Sequence, residues 1–142
     1  MTTQDFLSRV KERAGLSEHE DARRCAEAVL TAVAQGLSHA VLEAVRSELP
    51  EPLAALWVEP EHRRTVSLRS VLTAVSGREA VADGFALEHT TVIAEAMARA
   101  LRPEVLRLLR DALPWEIAVL FTPREEPAAV ERVVMDPSRR TL

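Results

Sequence analysis

Among the side chains whose chemistry could hold a metal, move a proton or attack a substrate, the four histidines, His19, His39, His62 and His89, and the single cysteine, Cys25, are few enough to take one by one. His62 follows Glu59 by three residues, the Glu-x-x-His spacing with which di-iron bundles place two ligands on one helical face. That chemistry needs the motif on a helix and a second copy of it, whereas Pro60 falls inside this one and no second copy occurs. His19 and His39 sit in first turns and are expected to face solvent; His89, ahead of Thr90 and Thr91, is expected to be partly buried. None reads as a ligand. A reactive thiol requires a lowered pKa and access to water. Cys25 has Arg23 and Arg24 near in sequence, but beside Ala26 it reads as a small apolar filler at the edge of the core. No Gly-x-Ser-x-Gly, phosphate loop, Gly-x-Gly-x-x-Gly or His-Glu-x-x-His occurs. Catalytic, cofactor-binding and metal-binding residues are therefore not expected.

Charge narrows the partners further. The formal net charge is -4, and phosphate backbones and anionic lipid repel an acidic surface unless one face of it is strongly basic. Arg23 with Arg24, Arg63 with Arg64, Arg139 with Arg140, and Arg99, Arg102, Arg107 and Arg110 are the material for such a face. Glu95, Glu104 and Asp111 stand among the last four at helical spacing, so this set reads as a solvated, charge-balanced surface and nucleic acid as an improbable partner. Lys11 is the only lysine, which removes lysine Schiff-base chemistry everywhere else in the chain. One cysteine allows no intrachain disulfide, the N-terminal MTTQDFLSRV lacks the apolar run of a signal peptide, and no segment approaches the roughly 20 apolar residues of a membrane span. A cytoplasmic location is expected.

The elements that must position these residues are helices. Ala, Leu, Val, Glu and Arg dominate, aromatics make up 4%, and Tyr and Asn are absent, a mixture that favours helix over sheet. The organising stretch runs from Leu37 to Trp57. Leu37, Val41, Leu42, Val45, Leu49, Pro50, Leu53, Leu56 and Trp57 recur sixty-four residues later as Leu101, Val105, Leu106, Leu109, Leu113, Pro114, Ile117, Leu120 and Phe121. Val29 and Val33 answer to Ile93 and Met97 at the same spacing, and Cys25 to His89; further upstream the register slips. The expected fold is all-α: two tandem pseudo-symmetric four-helix units, residues 1–57 and 67–122, joined by the polar linker 58–66 and followed by a tail over 123–142. Neither half is large enough to bury its apolar faces alone, so the two are expected to pack together, related by a pseudo-twofold axis, and to unfold as one.

Signals for helix ends refine this picture. The first helix is expected from Thr2 or Thr3 to a stop at Gly15. Ser17 with Glu20 forms a capping-box pattern for a second helix running to about Gln35 and closed by Gly36. Ser38 is expected to cap the third, Pro52 to start a short fourth, Ser67 to cap the fifth ahead of Gly77, and Pro103 to open the seventh. Residues 78–84 read as irregular, the sixth helix as about Phe85 to Ala100, and the eighth as Pro114 to Thr122. In the tail, Pro127 is placed to start a last short helix with Val130, Val133 and Val134 on one side.

Phe6 and Val10, then Ala26, Val29 and Leu30, then Leu37 and Ser38 ahead of a helix ending in Leu49 and Pro50 make a pattern that resembles the bacterial domain-of-unknown-function family numbered 2267. The resemblance covers about Phe6 to Phe121. It implies tandem small helical units, each ending in Leu-Pro and a short helix, and it brings no established activity. The second half departs from the pattern at Ser70, where an aromatic is expected.

Trp115 breaks the repeat. Its counterpart is Glu51, so the duplicated unit does not demand an apolar side chain there, and Val119 extends the same face. The expected function is accordingly a non-enzymatic protein-interaction module, adaptor or assembly element, contacting another protein or a second copy of itself through Trp115, Val119, Val130, Val133 and Val134. The competing expectation is small-ligand sensing in an apolar crevice between the halves, near Trp57, Phe85, Met97 and Phe121.

Overall fold

The computed structural model describes residues 1–123, and these form helices and connecting turns with no strand among them. The elements are α1 (Thr3–Ala14), α2 (His19–Ala34), α3 (His39–Arg46), a 3₁₀ turn (Ala54–Leu56), α4 (Leu68–Glu79), α5 (Asp83–Ala100), α6 (Pro103–Asp111) and α7 (Trp115–Ala118). The chain is all-α over this range. Val130, Val133, Val134 and the expected tail helix lie outside the described residues.

Local chemistry fixes several helix ends. Thr2 accepts the Asp5 N–H while the Asp5 carboxylate accepts the Thr2 N–H, a reciprocal capping box that opens α1. Ser67 and Ser70 make the same exchange at α4, and Ser38 accepts from Val41 N–H at α3. Counted from the caps Thr2 and Ser67, Ser70 stands where Asp5 stands, and Val71 is the residue that takes the place of Phe6. The aromatic expected at Ser70 is thus a matter of register: the first helix of the second half is displaced by one residue from the sixty-four-residue spacing, and both Phe6 and Val71 are buried.

Several boundaries differ from the sequence expectation. Glu18, without a side-chain cap bond, precedes α2, so Ser17 and Glu20 do not form the expected box. Gly77 lies inside α4, which ends at Ala80 in the left-handed conformation (φ 55°), the conformation Gly15 adopts after α1 (φ 68°). The two ends close alike: Leu16 N–H donates to Lys11 O and Val81 N–H to Ser76 O, the six-residue closure that satisfies a helix's last carbonyls. A glycine signal could not find this stop because alanine occupies it. The fourth element of the first half is a single 3₁₀ turn rather than an α-helix, and α7 is four residues long, shorter than the expected Pro114–Thr122.

Among the first six helices, the packed pairs are α1 with α2, α4 with α5, α1 with α5, α2 with α4, α2 with α5, and α3 with α6. Exchanging α1, α2 and α3 for α4, α5 and α6 leaves that set unchanged. Each half sends its first helix against the other half's second, so one core contains Phe6, Val10, Leu30, Val33, Leu42, Trp57, Ile93, Met97, Leu109, Ile117 and Phe121. The segment 58–66 is fastened to the end of α2. Arg64 N–H donates to Gln35 O, Arg63 Nε donates to Gly36 O, and the buried Val66 lies so close to Gly36 that a Cβ there would stand 2.6 Å from Val66 Cγ2. Glycine at position 36 is a requirement of this approach.

Candidate functional site

Two places on this frame have the makings of a site. The first is the face of α7. Val119 N–H donates to Trp115 O at 3.0 Å, which stacks their side chains one turn apart. Trp115 is 74% exposed and Val119 47%, while Ile117 and Phe121 turn into the core. Glu51, at the position equivalent to Trp115, is also exposed. Trp57, Met97 and Phe121 are fully buried, whereas Phe85 is 58% exposed.

The second place joins residues that the sequence reading kept apart. Cys25 on α2 and His89 on α5 occupy the same distance from the starts of their helices, His19 and Asp83, and these helices pack together. Glu79, the last residue of α4, completes the group. One ligand-capable atom from each of Cys25, Glu79 and His89 lies within 4.8 Å of the others. His89 Nδ1 is 2.7 Å from Glu79 Oε2, and Cys25 and His89 are buried at 1% and 6% exposure. Burial pushes the Cys25 thiol up, and the adjoining Glu79 carboxylate pushes it the same way, so the thiol is protonated and weakly nucleophilic in the ion-free chain. Beside the group opens a cleft of about 400 Å³ lined by Leu16, Asp21, Arg24, Glu27, Arg78, Glu79, Val81 and His89. Arg24 is paired with Asp21, and Arg78 with Glu27, across its rim.

Cys25 is a fully buried member of the core, with Glu79 and His89 beside it, and His89 is more deeply buried than expected. Pattern reading missed Glu79 altogether because residues 78–84 read as irregular; the continuation of α4 through Gly77 is what delivers this carboxylate. The signal that was available is the sixty-four-residue correspondence of Cys25 with His89, since equivalent positions on two packed helices can meet.

His39, His19 and several of the arginines have partners. His39 Nδ1 lies 2.7 Å from Glu59 Oε1, which raises the pKa of the imidazole chiefly through that hydrogen bond, and Glu59 and His62 share no helix. His19 Nε2 is 3.0 Å from Ser8 Oγ. Of the arginines that could have made a basic stripe, Arg23 pairs with Glu20, Arg24 with Asp21, and Arg102 with Glu48. Glu95 is buried rather than solvated: Arg9 reaches it from α1 at 2.8 Å, Arg13 at 3.5 Å, and Arg99 from its own helix at 2.9 Å. Desolvation acts to raise the Glu95 carboxyl pKa, and the hydrogen bonds from Arg9 and Arg99 with the charges of Arg9 and Arg13 outweigh it, so the group is held below its ordinary value. No helix among the described residues is long and apolar enough to cross a membrane.

Residues 3–120 match the model of a family described as an uncharacterized conserved protein, DUF2267, and the chain belongs to that family. Among curated proteins no match was found.

Proposed function

As a member of that family the chain is, we propose, a non-enzymatic helical protein-interaction module, built of two pseudo-twofold-related units over 1–57 and 67–122 and acting in the cytoplasm through the face of Trp115 and Val119. The two-unit reading is supported by helix starts that recur at sixty-four or sixty-five residues and by packed pairs that survive exchange of the halves. The interaction reading is carried by one observation: the second unit exposes an indole where the first exposes the carboxylate Glu51. A large aromatic in water gains nothing for the fold, and at interfaces tryptophan is among the side chains that contribute most to binding.

The contact to test first is with a second copy of the chain, by size-exclusion chromatography with light scattering on the full chain, on Trp115→Ala and on a truncation after Phe121. A dimer that becomes monomeric on either change supports self-association through this face, with Val130, Val133 and Val134 contributing if the truncation suffices. A monomer throughout, with unaltered stability after truncation, moves the reading to a different protein partner. A monomer whose truncated form is markedly less stable overturns it, because the residues after Phe121 then complete the core.

A further inference from the structure

We propose that Cys25, Glu79 and His89 form a site for one divalent ion of the zinc type, three protein ligands being supplied from α2, α4 and α5 and the fourth position facing the cleft beside them. The proposal is independent of the interaction reading, which concerns the opposite kind of feature, an exposed apolar face.

Four observations converge on it. The donor set of thiol, imidazole and carboxylate is the one borderline-soft ions select, and it excludes magnesium and calcium, which take oxygen ligands. The three donor atoms already lie within 4.8 Å of one another, and ligand atoms about 2.0–2.3 Å from a shared ion need only a small contraction of that spread. Each donor comes from a different helix of the core, so the backbone that positions them is fixed by packing. The cleft of about 400 Å³ reaches Glu79 and His89 from solvent, giving an ion a way in and leaving room for a water as fourth ligand.

The charge balance also closes. On binding, the Cys25 S–H bond breaks, its proton leaves to solvent and the thiolate takes the ion. His89 Nδ1 donates to the Glu79 carboxylate in the ion-free chain; on binding, that proton is exchanged through solvent so that the neutral ring carries its hydrogen on Nε2, and the freed Nδ1 lone pair ligates. One thiolate, one carboxylate and one divalent cation sum to zero, so the filled site places no net charge in a buried region. Nothing is oxidised or reduced.

The experiment uses the full chain, stripped with a chelator and titrated with cobalt(II) as an optical stand-in for zinc. The expected result is one ion bound per chain with a thiolate-to-cobalt charge-transfer band in the near ultraviolet, displaced by zinc. Cys25 is the only cysteine, so the band identifies its ligand directly. Cys25→Ser is expected to abolish the band, and Glu79→Gln and His89→Ala to weaken binding about tenfold or more. A wild-type chain that gives no thiolate band at saturating cobalt overturns the proposal whether or not any variant folds. So does a Glu79→Gln chain, folded by circular dichroism, that binds cobalt as tightly as wild type together with a His89→Ala chain that does the same.

Discussion

The contact of α1 with α5 and the contact of α2 with α4 occupy corresponding positions in the two halves, yet they bury different chemistry. In the first, Glu95 is enclosed by Arg9, Arg13 and Arg99, three cations about one buried carboxylate. In the second, Cys25 lies against Glu79, with His89 adjoining and a cleft alongside. One is a buried carboxylate held by cations; the other is a donor set with coordination capacity left over. Equivalent packing has been filled once for stability and once with residues whose chemistry exceeds what the fold requires.

Substitutions in the closed cluster should have the larger effect on stability. Glu95→Ala removes the carboxylate that Arg9, Arg13 and Arg99 share, and because the arginines remain partly exposed the cost is expected to be about 2 kcal/mol, below that of a fully buried pair. Chemical denaturation measures it. Glu79→Gln, which keeps a hydrogen-bonding partner for His89, should cost about 1 kcal/mol or less in metal-free chain. An equal loss at both positions would sink the distinction between a structural cluster and an unsaturated one.

The pH dependence sharpens the same contrast. A carboxyl whose folded pKa is depressed contributes stability that is complete above its unfolded value and is lost as pH falls through the folded one. For Glu95 that contribution is whole above its ordinary value of 4.5 and declines on further acidification. The stability gap between wild type and Glu95→Gln should therefore be widest near neutral pH and narrow below that value, and a gap independent of pH would show that the arginines do not stabilise the ionised form.

The ends of α1 and α4 offer a smaller and cleaner comparison. Gly15 and Ala80 both sit in the left-handed region, which costs an L-residue about 1–2 kcal/mol. Gly15→Ala should lower stability by about 1 kcal/mol. Ala80→Gly should raise it by about 0.5 kcal/mol, since relief of the backbone conformation exceeds the added freedom of the unfolded chain only slightly. Melting temperatures that move in the opposite directions would contradict the shared closure. Smallest of all is Trp115→Ala, expected to change monomer stability by within about 0.5 kcal/mol because the indole is mostly in water. A loss of several times that would mean that the side chain is covered in solution.

Legibility followed the range of the forces involved. Apolar periodicity and the sixty-four-residue recurrence mark α2, α3, α5 and α6 and most of the core, because burial leaves a period in the sequence wherever a helix has one inward face. Ser38 and Ser67 were readable as caps because a side chain a few bonds from an unpaired N–H decides the matter locally. Ala80 was not, since its left-handed conformation is imposed by the closure that Ser76 makes with Val81 and no glycine advertises it. The apolar surprise at Trp115 stood out against Glu51 in the sequence, and the structure adds that the side chain is exposed.

The sequence by itself determined the helical class, the duplicated spacing, the family and the identity of the odd aromatic, all of which depend on interactions between residues near in the chain or on comparison of one half with the other. Only the tertiary structure decided that Cys25, Glu79 and His89 share a corner and that Glu95 is buried against Arg9 and Arg13 of another helix. The physical reason is that a three-residue site drawn from three helices has no spacing of its own in the sequence. Its geometry is set by how α2, α4 and α5 cross, and that crossing is fixed by the sum of many apolar contacts.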